Sequence, residues 1–342
     1  MRLLEHTHAS LTERLAEGYG KGAFHARALM RECYERLNPR AFEAVELDPA
    51  PFFRRCMERD WQFSPGQVVD EIVCEGVVKF VTRLDDGAAI ESVVLPMASH
   101  CTVCISSQVG CRMGCKFCKT ARMGLVRQLR VEEIVGQAYA ARRRYGPQVR
   151  NVVFMGMGEP FDNFDAVMQA VRVINDQRGL DVALKYITIS TCGMVDGIGK
   201  LAQLALPRLR LAISLNAPTD ELRNRLMPIN RSAPLAKLKQ ALQTFPMGPK
   251  DGALMMAYVL LPGVNDQPCH ARQVADFFHS LNARINLIPF NPGTGADMGF
   301  RAPTEMEIDQ FIQRLNRQGV FTCRRSTKGR EAMAACGQLG RG

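Results

Sequence analysis

The sequence predicts an α/β protein: an open, partial (β/α)6 barrel with a small N-terminal helical domain and a β-hairpin extension. Three observations carry this expectation. From about residue 101, strand-like apolar runs alternate with amphipathic segments, which implies parallel strands joined by crossover helices. The first 62 residues read instead as short helical pieces. Between these regions two strand-like runs flank Asp85-Asp86-Gly87, a turn signal because glycine accepts the positive φ of a tight turn.

In chain order, Leu11, Leu15, Leu29 and Met30 fall among charged residues and mark the N-terminal helices. The hairpin strands are expected at 77–84 and 88–95. Barrel strands are expected at 102–107, 151–156, 186–191, 209–215, 254–261 and 285–290. Helices fall between them at 131–143, 164–175, 197–206, 221–227 with 235–242, and 271–281. A last helix at 305–317 and a short strand at 320–324 lead into the tail. Six strands suit an open barrel better than a closed eight-stranded one. The expected division is therefore 1–62 helical, 63–96 hairpin, 97–330 barrel and 331–342 tail. A chain of 342 residues has room for one large domain and a smaller one.

Composition narrows the class. With 46% hydrophobic and 23% charged residues the chain is not globally disordered, and no apolar run approaches a membrane span. The start, Met1 to His6, lacks the apolar core of a secretory signal, so a soluble cytoplasmic protein without a membrane partner is expected. The net charge of +10 suits a polyanion such as nucleic acid, although a merely basic surface explains it equally well. In a reducing compartment the 12 cysteines should be thiols, so a tightly spaced group points to metal or redox chemistry.

Such a group is Cys111-Arg-Met-Gly-Cys115-Lys-Phe-Cys118, expected in a loop directly after the first barrel strand. Soft thiolates suit zinc, copper(I) or an iron–sulfur cluster. A closed zinc site wants four ligands; this group offers three, with His100 and Cys104 near in sequence. Three cysteines on an iron–sulfur cluster would leave one iron free for a small molecule.

The Cys-x-x-x-Cys-x-x-Cys spacing, with an aromatic residue before the last Cys, resembles the radical S-adenosylmethionine (SAM) superfamily. Cys104-Ile-Ser-Ser-Gln-Val-Gly-Cys111, Gly156-Met-Gly-Glu-Pro160 and Ala335-Cys336-Gly-Gln-Leu339 together resemble the RlmN/Cfr family of RNA adenosine methyltransferases. The likeness runs from about Asp85 to Leu339, and Gly20-Lys-Gly-Ala-Phe24 is weakly similar. It implies a partial radical SAM barrel with one 4Fe–4S cluster on Cys111, Cys115 and Cys118, chelated at its open iron by SAM. Gly158 and Glu159 are then assigned to the SAM amino group. Ser190, Ser214, Leu215, Asn216 and Asn291, all near strand ends, help hold SAM. Asn216 stands where such families often carry His, and retains a hydrogen-bonding side chain.

The resemblance also implies a reaction. An adenine ring carbon is electrophilic, so direct attack on the sulfonium methyl is a poor route, whereas a thiolate takes that methyl readily. Cys336 accepts a methyl from one SAM; a second SAM is reductively cleaved to a 5′-deoxyadenosyl radical. That radical removes hydrogen from the Cys336 methyl, and the methylene radical adds to the ring carbon. Glu91, placed at the end of the second hairpin strand, accepts the ring proton, and Cys104 attacks Cys336 sulfur, leaving a transient disulfide. Cysteines 33, 56, 74, 101, 192, 269 and 323 match no motif and read as core residues.

For RNA, Arg122, Arg127 and Arg130 border the cluster loop, and Arg324-Arg325 with Lys328 and Arg330 precede Cys336. The Arg142–Arg144 run reads as a solvated helix face. The expected function is methylation of an adenine ring carbon, carbon 2 in preference to carbon 8, of ribosomal or transfer RNA. The enzyme would be a monomer served by an external one-electron reductant such as flavodoxin or ferredoxin. A radical SAM maturase acting on a protein and a non-catalytic metal-containing RNA-binding protein are the competing readings.

Overall fold

The computed structural model describes residues 1–204, 206–248, 252–292, 299–325 and 337–340. Three helices open the chain: α1 (His8–Tyr19), α2 (Ala23–Met30) and α3 (Pro51–Asp60). Thr7 starts α1 by accepting the Ser10 N–H, and Gly20 ends it at φ +62°. Leu3, Leu4, Leu11, Leu15, Leu29 and Met30 are fully buried, in the same apolar core as the barrel.

Three antiparallel strands follow where the sequence predicts two. They are β1 (Gln67–Cys74), β2 (Val77–Arg83) and β3 (Ala89–Pro96). β2 and β3 are the expected hairpin. β1 escapes sequence reading because it is an edge strand whose side chains alternate only between exposed and half-buried, so no apolar period marks it.

β3 pairs antiparallel with β4 (Cys101–Cys104), the first barrel strand. Strand pairing stops at Cys104 rather than at 107. From Ile105 the chain turns to meet the loop after the next barrel strand, where Ser107 N–H donates to the Met157 carbonyl at 2.8 Å. An unforeseen arm comes next: β5 (Gln108–Cys111), the helical turn α4 (Lys119–Arg122) and β6 (Gly124–Gln128). β5 and β6 form a separate two-stranded sheet. Cys111 therefore ends a strand, and only Cys115 and Cys118 occupy the connection; the expectation of one loop directly after the first barrel strand is corrected. Strands of four and five residues are too short to show a period. Gly110 makes the arm feasible, since at φ +77° a Cβ there would lie 1.9 Å from the Gly124 carbonyl oxygen.

The remainder alternates as expected. In order come α5 (Val131–Tyr145), β7 (Val149–Phe154), α6 (Phe164–Asn175), β8 (Ile187–Thr191), α7 (Val195–Gln203) and β9 (Arg210–Ser214). Then follow α8 (Asp220–Leu226), α9 (Leu235–Gln243), β10 (Leu254–Leu260), α10 (Pro268–Phe278), β11 (Ala283–Pro289), α11 (Glu305–Arg317) and β12 (Thr322–Arg324). α10 starts earlier than expected because Gln267 caps it and the fixed φ of Pro268 suits a first turn. β4, β7, β8, β9, β10 and β11 lie side by side in that order, each parallel to the next, with β12 beyond. β4 and β11 are not paired, so the barrel is open. β1 to β3 continue the same ten-stranded sheet.

Candidate active site

Functional groups of parallel α/β barrels gather where strands end and loops begin. A cavity lies at that rim, with Cys111, Cys115 and Cys118 on one side and Gly158, Glu159, Ser190, Cys192, Ser214 and Asn216 on the other. A larger cavity of about 750 Å³ opens at the opposite end, between the stretches 206–211 and 245–254. It contains arginines but no cysteine, so the chemistry belongs to the rim.

The three cysteines act on one another. Burial first, then the neighbouring Cys118, Glu159 and Asp162, push the Cys111 thiol up to about 12. Cys115 is raised by burial first, then by Cys118 and Cys111. Crowded thiols, one buried and two half-buried, are costly as bare thiolates, and a bound cationic centre removes that cost. Among the described residues no three His, Cys, Asp or Glu side chains converge on a single ion position.

Gly156 and Gly158 make close approaches within the protein. A Cβ on Gly156 would lie 2.6 Å from the Ile105 carbonyl oxygen, and one on Gly158, at φ +101°, would lie 2.8 Å from the Gln108 nitrogen. The close approach they permit is to the protein's own 105–108 backbone. It places Glu159, whose N–H donates to Gln108 Oε1 at 2.8 Å.

Glu159 is buried, at 4% exposure. Its oxygens accept the Phe161 N–H at 3.1 Å and the Cys192 N–H at 2.7 Å. Burial raises its pKa against those hydrogen bonds. No cationic side chain is paired with it among the described residues. A desolvated carboxylate aimed into a cavity is a receptor for an ammonium group.

Ser190, Ser214 and Asn216 line the cavity, but Leu215 does not. Leu215 is fully buried and its N–H donates to the Ala257 carbonyl at 3.0 Å, so it fixes the strand end. Asn216 sits at φ +57°, and its Oδ1 accepts the Val259 N–H at 2.9 Å. That bond leaves its side chain largely committed to the fold. Asn291 follows β11, outside the cavity wall, and its Nδ2 is buried with no hydrogen-bond partner among the described residues. Cys192, read from sequence as a core residue, also lines the cavity; its place just past the end of β8 was the available signal.

Glu91 lies near the start of β3, not at its end. It is buried at 3% exposure, 3.5 Å from Lys79 Nζ, and its Oε2 accepts the Gly340 N–H at 2.7 Å. Cys104 is buried at the end of β4, opposite Val93 of β3 and Val153 of β7. Cys336 lies outside the described residues, as do Lys328 and Arg330. The following stretch is docked: Lys119 N–H donates to the Gly337 carbonyl at 2.7 Å, and Thr120 Oγ1 to the Leu339 carbonyl. Gly337 lines the cavity beside Cys118.

Two of the three arginines expected to border the cluster loop, Arg127 and Arg130, have other duties. Arg127 is bonded to Asp86 at 2.7 Å and Glu133 at 2.8 Å, and Arg130 to Glu132 at 3.2 Å and Glu133 at 2.9 Å. These pairs hold the hairpin turn and the arm against α5, so neither guanidinium is ready for phosphate. Arg144 pairs with Glu71, and Arg142 Nη2 donates to the Val149 carbonyl at 3.1 Å, so that run is only partly a solvated face. Arg324 pairs with Glu305, while Arg325 lines the cavity.

An open parallel barrel with three cysteines and a buried carboxylate on its rim defines a radical SAM enzyme. The family described as the Radical SAM superfamily matches residues 105–273. A probable dual-specificity RNA methyltransferase RlmN 1 from Protochlamydia amoebophila is 42% identical, over 99% of this chain and 93% of that protein. A dual-specificity RNA methyltransferase RlmN from Geobacter sulfurreducens is 41% identical, over 96% of this chain and 89% of that protein. The crystal structure of a radical SAM methyltransferase from Sphaerobacter thermophilus superposes with a TM-score of 0.91 at 37% identity, covering 99% of both chains. The chain belongs to the RlmN family and is a radical SAM RNA methyltransferase. The maturase and non-catalytic readings fall with that membership.

The superfamily implies a 4Fe–4S cluster and SAM. The site fits both groups. Three soft donors grouped on one connection suit a cluster, and the buried Glu159 carboxylate suits the polar end of SAM.

Proposed function

We propose that this enzyme methylates carbon 2 of an adenosine in both ribosomal and transfer RNA, through a methyl carried on Cys336. The observation that carries this reading is the docked stretch 337–340: Gly337 abuts the cluster loop, and Gly340 holds the Glu91 carboxylate. The stretch after Cys336 thus runs from the cluster loop to Glu91. The dual-specificity names of its relatives support two RNA classes.

In this reading Cys111, Cys115 and Cys118 would hold the cluster. Glu159 orients the SAM amine, with Gly158 fixing its backbone; Ser190, Ser214, Leu215, Asn216 and Asn291 shape the rest of the SAM cradle. When bound, the cluster and SAM supply a carbon radical able to remove hydrogen from a methyl thioether. The Cys336 thiolate first takes the sulfonium methyl of SAM, releasing S-adenosylhomocysteine. Once the Cys336 methylene is bonded to carbon 2, Glu91 accepts the proton from that carbon and the unpaired electron of the adduct passes to the oxidised form of the external one-electron carrier, restoring the aromatic ring. Cys104 thiolate then attacks Cys336 sulfur; the carbon–sulfur electron pair passes to the base, which is protonated as the methylated product. An external thiol reductant restores the resulting disulfide. The target base must leave its stack to reach a site this buried. We read the chain as four units, 1–62, 63–96, 97–330 and 331–342, acting as a cytoplasmic monomer with a flavodoxin or ferredoxin as electron donor. No helix among the described residues is long and apolar enough to cross a membrane.

Cys104→Ala tests the order of events. This variant should assemble the cluster, methylate Cys336 and form the protein–RNA thioether, then fail to resolve it. The purified protein should carry RNA that survives denaturation, attached through Cys336 by peptide mapping. Normal release of methylated RNA from Cys104→Ala would refute the resolution step.

A further inference from the structure

A buried cation lies behind the cluster loop. Arg223, in α8, is fully buried, and all its contacts are neutral. Its Nε donates to the Leu215 carbonyl at 3.1 Å, and its Nη2 to the carbonyls of Cys192 at 2.6 Å and Ser214 at 3.2 Å. Its Nη1 donates to Asn230 Oδ1 at 2.6 Å. A carboxylate enters only at one remove, where Asn230 Nδ2 donates to Asp220 Oδ1 at 2.8 Å. Arg223 forms no ion pair among the described residues, whereas Arg127 and Arg130 are held by carboxylates.

Burying a guanidinium away from water without a counter-anion is costly, and neutral carbonyls offset only part of that cost. A cation buried in this way stabilises an anionic group placed beside it. The surroundings say what that group is. Arg223 acts electrostatically on Cys115 and Cys192, and the cluster loop is tied to the same helix by Lys116 N–H donating to the Leu226 carbonyl at 2.9 Å. The carbonyls it gathers belong to the ends of β8 and β9, where Ser190 and Ser214 face the cavity.

We propose that Arg223 is the fixed countercharge of the iron–sulfur cluster and the residue that aligns the two central strand ends beneath SAM. The proposal rests on the assignment of Cys111, Cys115 and Cys118 as cluster ligands. Thiolate ligation makes the cluster anionic, and reduction adds a further negative charge. A fixed positive charge in a water-excluded setting stabilises the reduced form more than the oxidised one. Removing it moves the reduction potential to more negative values. The planar fork has a separate job, since a point charge cannot bridge three carbonyls and an amide at once.

The test uses reconstituted holoenzyme, with iron and sulfide per chain measured first and the midpoint potential then read by EPR-monitored redox titration without SAM. Arg223→Met should shift the potential negative and weaken SAM binding. Arg223→Lys should keep a potential near that of the parent while still binding SAM more weakly. Asp220→Asn removes a nearby negative charge but keeps an acceptor for Asn230 and for the Leu235 N–H, so its potential should shift positive. A purely structural Arg223 gives no opposite-signed pair of shifts. Unchanged potentials in loaded Arg223→Met and Asp220→Asn overturn the proposal. Should Arg223→Met fail to load, an unshifted Asp220→Asn overturns it alone. Parent protein without iron and sulfide instead refutes the cluster assignment, a distinct result.

Discussion

Glu159 concentrates the conflict between stability and binding in one side chain. Its carboxylate is desolvated, which raises its pKa, and the SAM ammonium is the group that would relieve that cost. SAM affinity should therefore fall as pH drops through the raised Glu159 pKa, because the protonated form offers no charge. Glu159→Gln should lose this pH dependence. It should also bind SAM about 30-fold more weakly or worse, since loss of one member of a buried charge pair costs roughly 2–5 kcal/mol. Isothermal titration across pH checks both outcomes. Stability carries the opposite sign. A carboxylate whose folded pKa is raised contributes most below its unfolded pKa, and that contribution is lost as pH rises through the folded value. Without SAM, the melting temperature of the parent minus that of Glu159→Gln should thus decrease as pH is raised from acid to neutral.

At the scale of elements, the unforeseen β5–β6 arm and the docked C-terminal stretch make one unit. The arm displays Cys111, Cys115 and Cys118, and α4 within it receives Gly337 and Leu339. Gly337 takes φ +82°, and a Cβ there would lie 3.2 Å from the Phe117 carbonyl oxygen. A left-handed non-glycine residue costs roughly 1–2 kcal/mol. Gly337→Ala should therefore unseat the stretch that follows Cys336 while sparing the cluster. The expected result is full iron content and undiminished SAM cleavage in the absence of RNA, with RNA methylation reduced about tenfold for a cost of ~1.4 kcal/mol. Comparing 5′-deoxyadenosine with methylated adenosine by mass spectrometry separates the two effects. Equal loss of both would mean that the stretch supports the cluster itself.

Across the whole molecule, the N-terminal helices and the barrel share an apolar core and specific ties. His8 N–H donates to Asp176 Oδ2 at 2.5 Å, Gln169 Nε2 to the Glu5 carbonyl at 2.9 Å, and Arg2 pairs with Glu132 of α5. Leu4 is fully buried in that core. Leu4→Ala should destabilise the protein by about 2–5 kcal/mol. Because the core is continuous, far-ultraviolet and cluster absorbance signals should shift together in denaturant. Loss of helical signal ahead of the barrel would show instead that the two parts unfold separately.

Local chemistry decided what could be read without coordinates. The barrel strands and their helices carry apolar runs and 3.6-residue periods, so their identity and order were legible, and the Cys111, Cys115 and Cys118 spacing announced soft-metal chemistry by itself. Helix ends moved by a few residues where a cap such as Gln267 with Pro268 outweighed the apolar pattern. Short or edge strands carry no such pattern: β1 has no buried face, and β5 and β6 are too short to show a period, so all three appear only through their pairing in the folded chain. Burial is likewise a property of the packed chain. Glu159 and Glu91 look like ordinary carboxylates in sequence, Arg127 and Arg130 look like phosphate ligands, and Cys192 and Arg223 look unremarkable. Tertiary packing alone takes the first two out of water, commits the next two to Glu133, and sets Cys192 and Arg223 at the cluster wall, since desolvation and ion pairing depend on which neighbours the fold supplies.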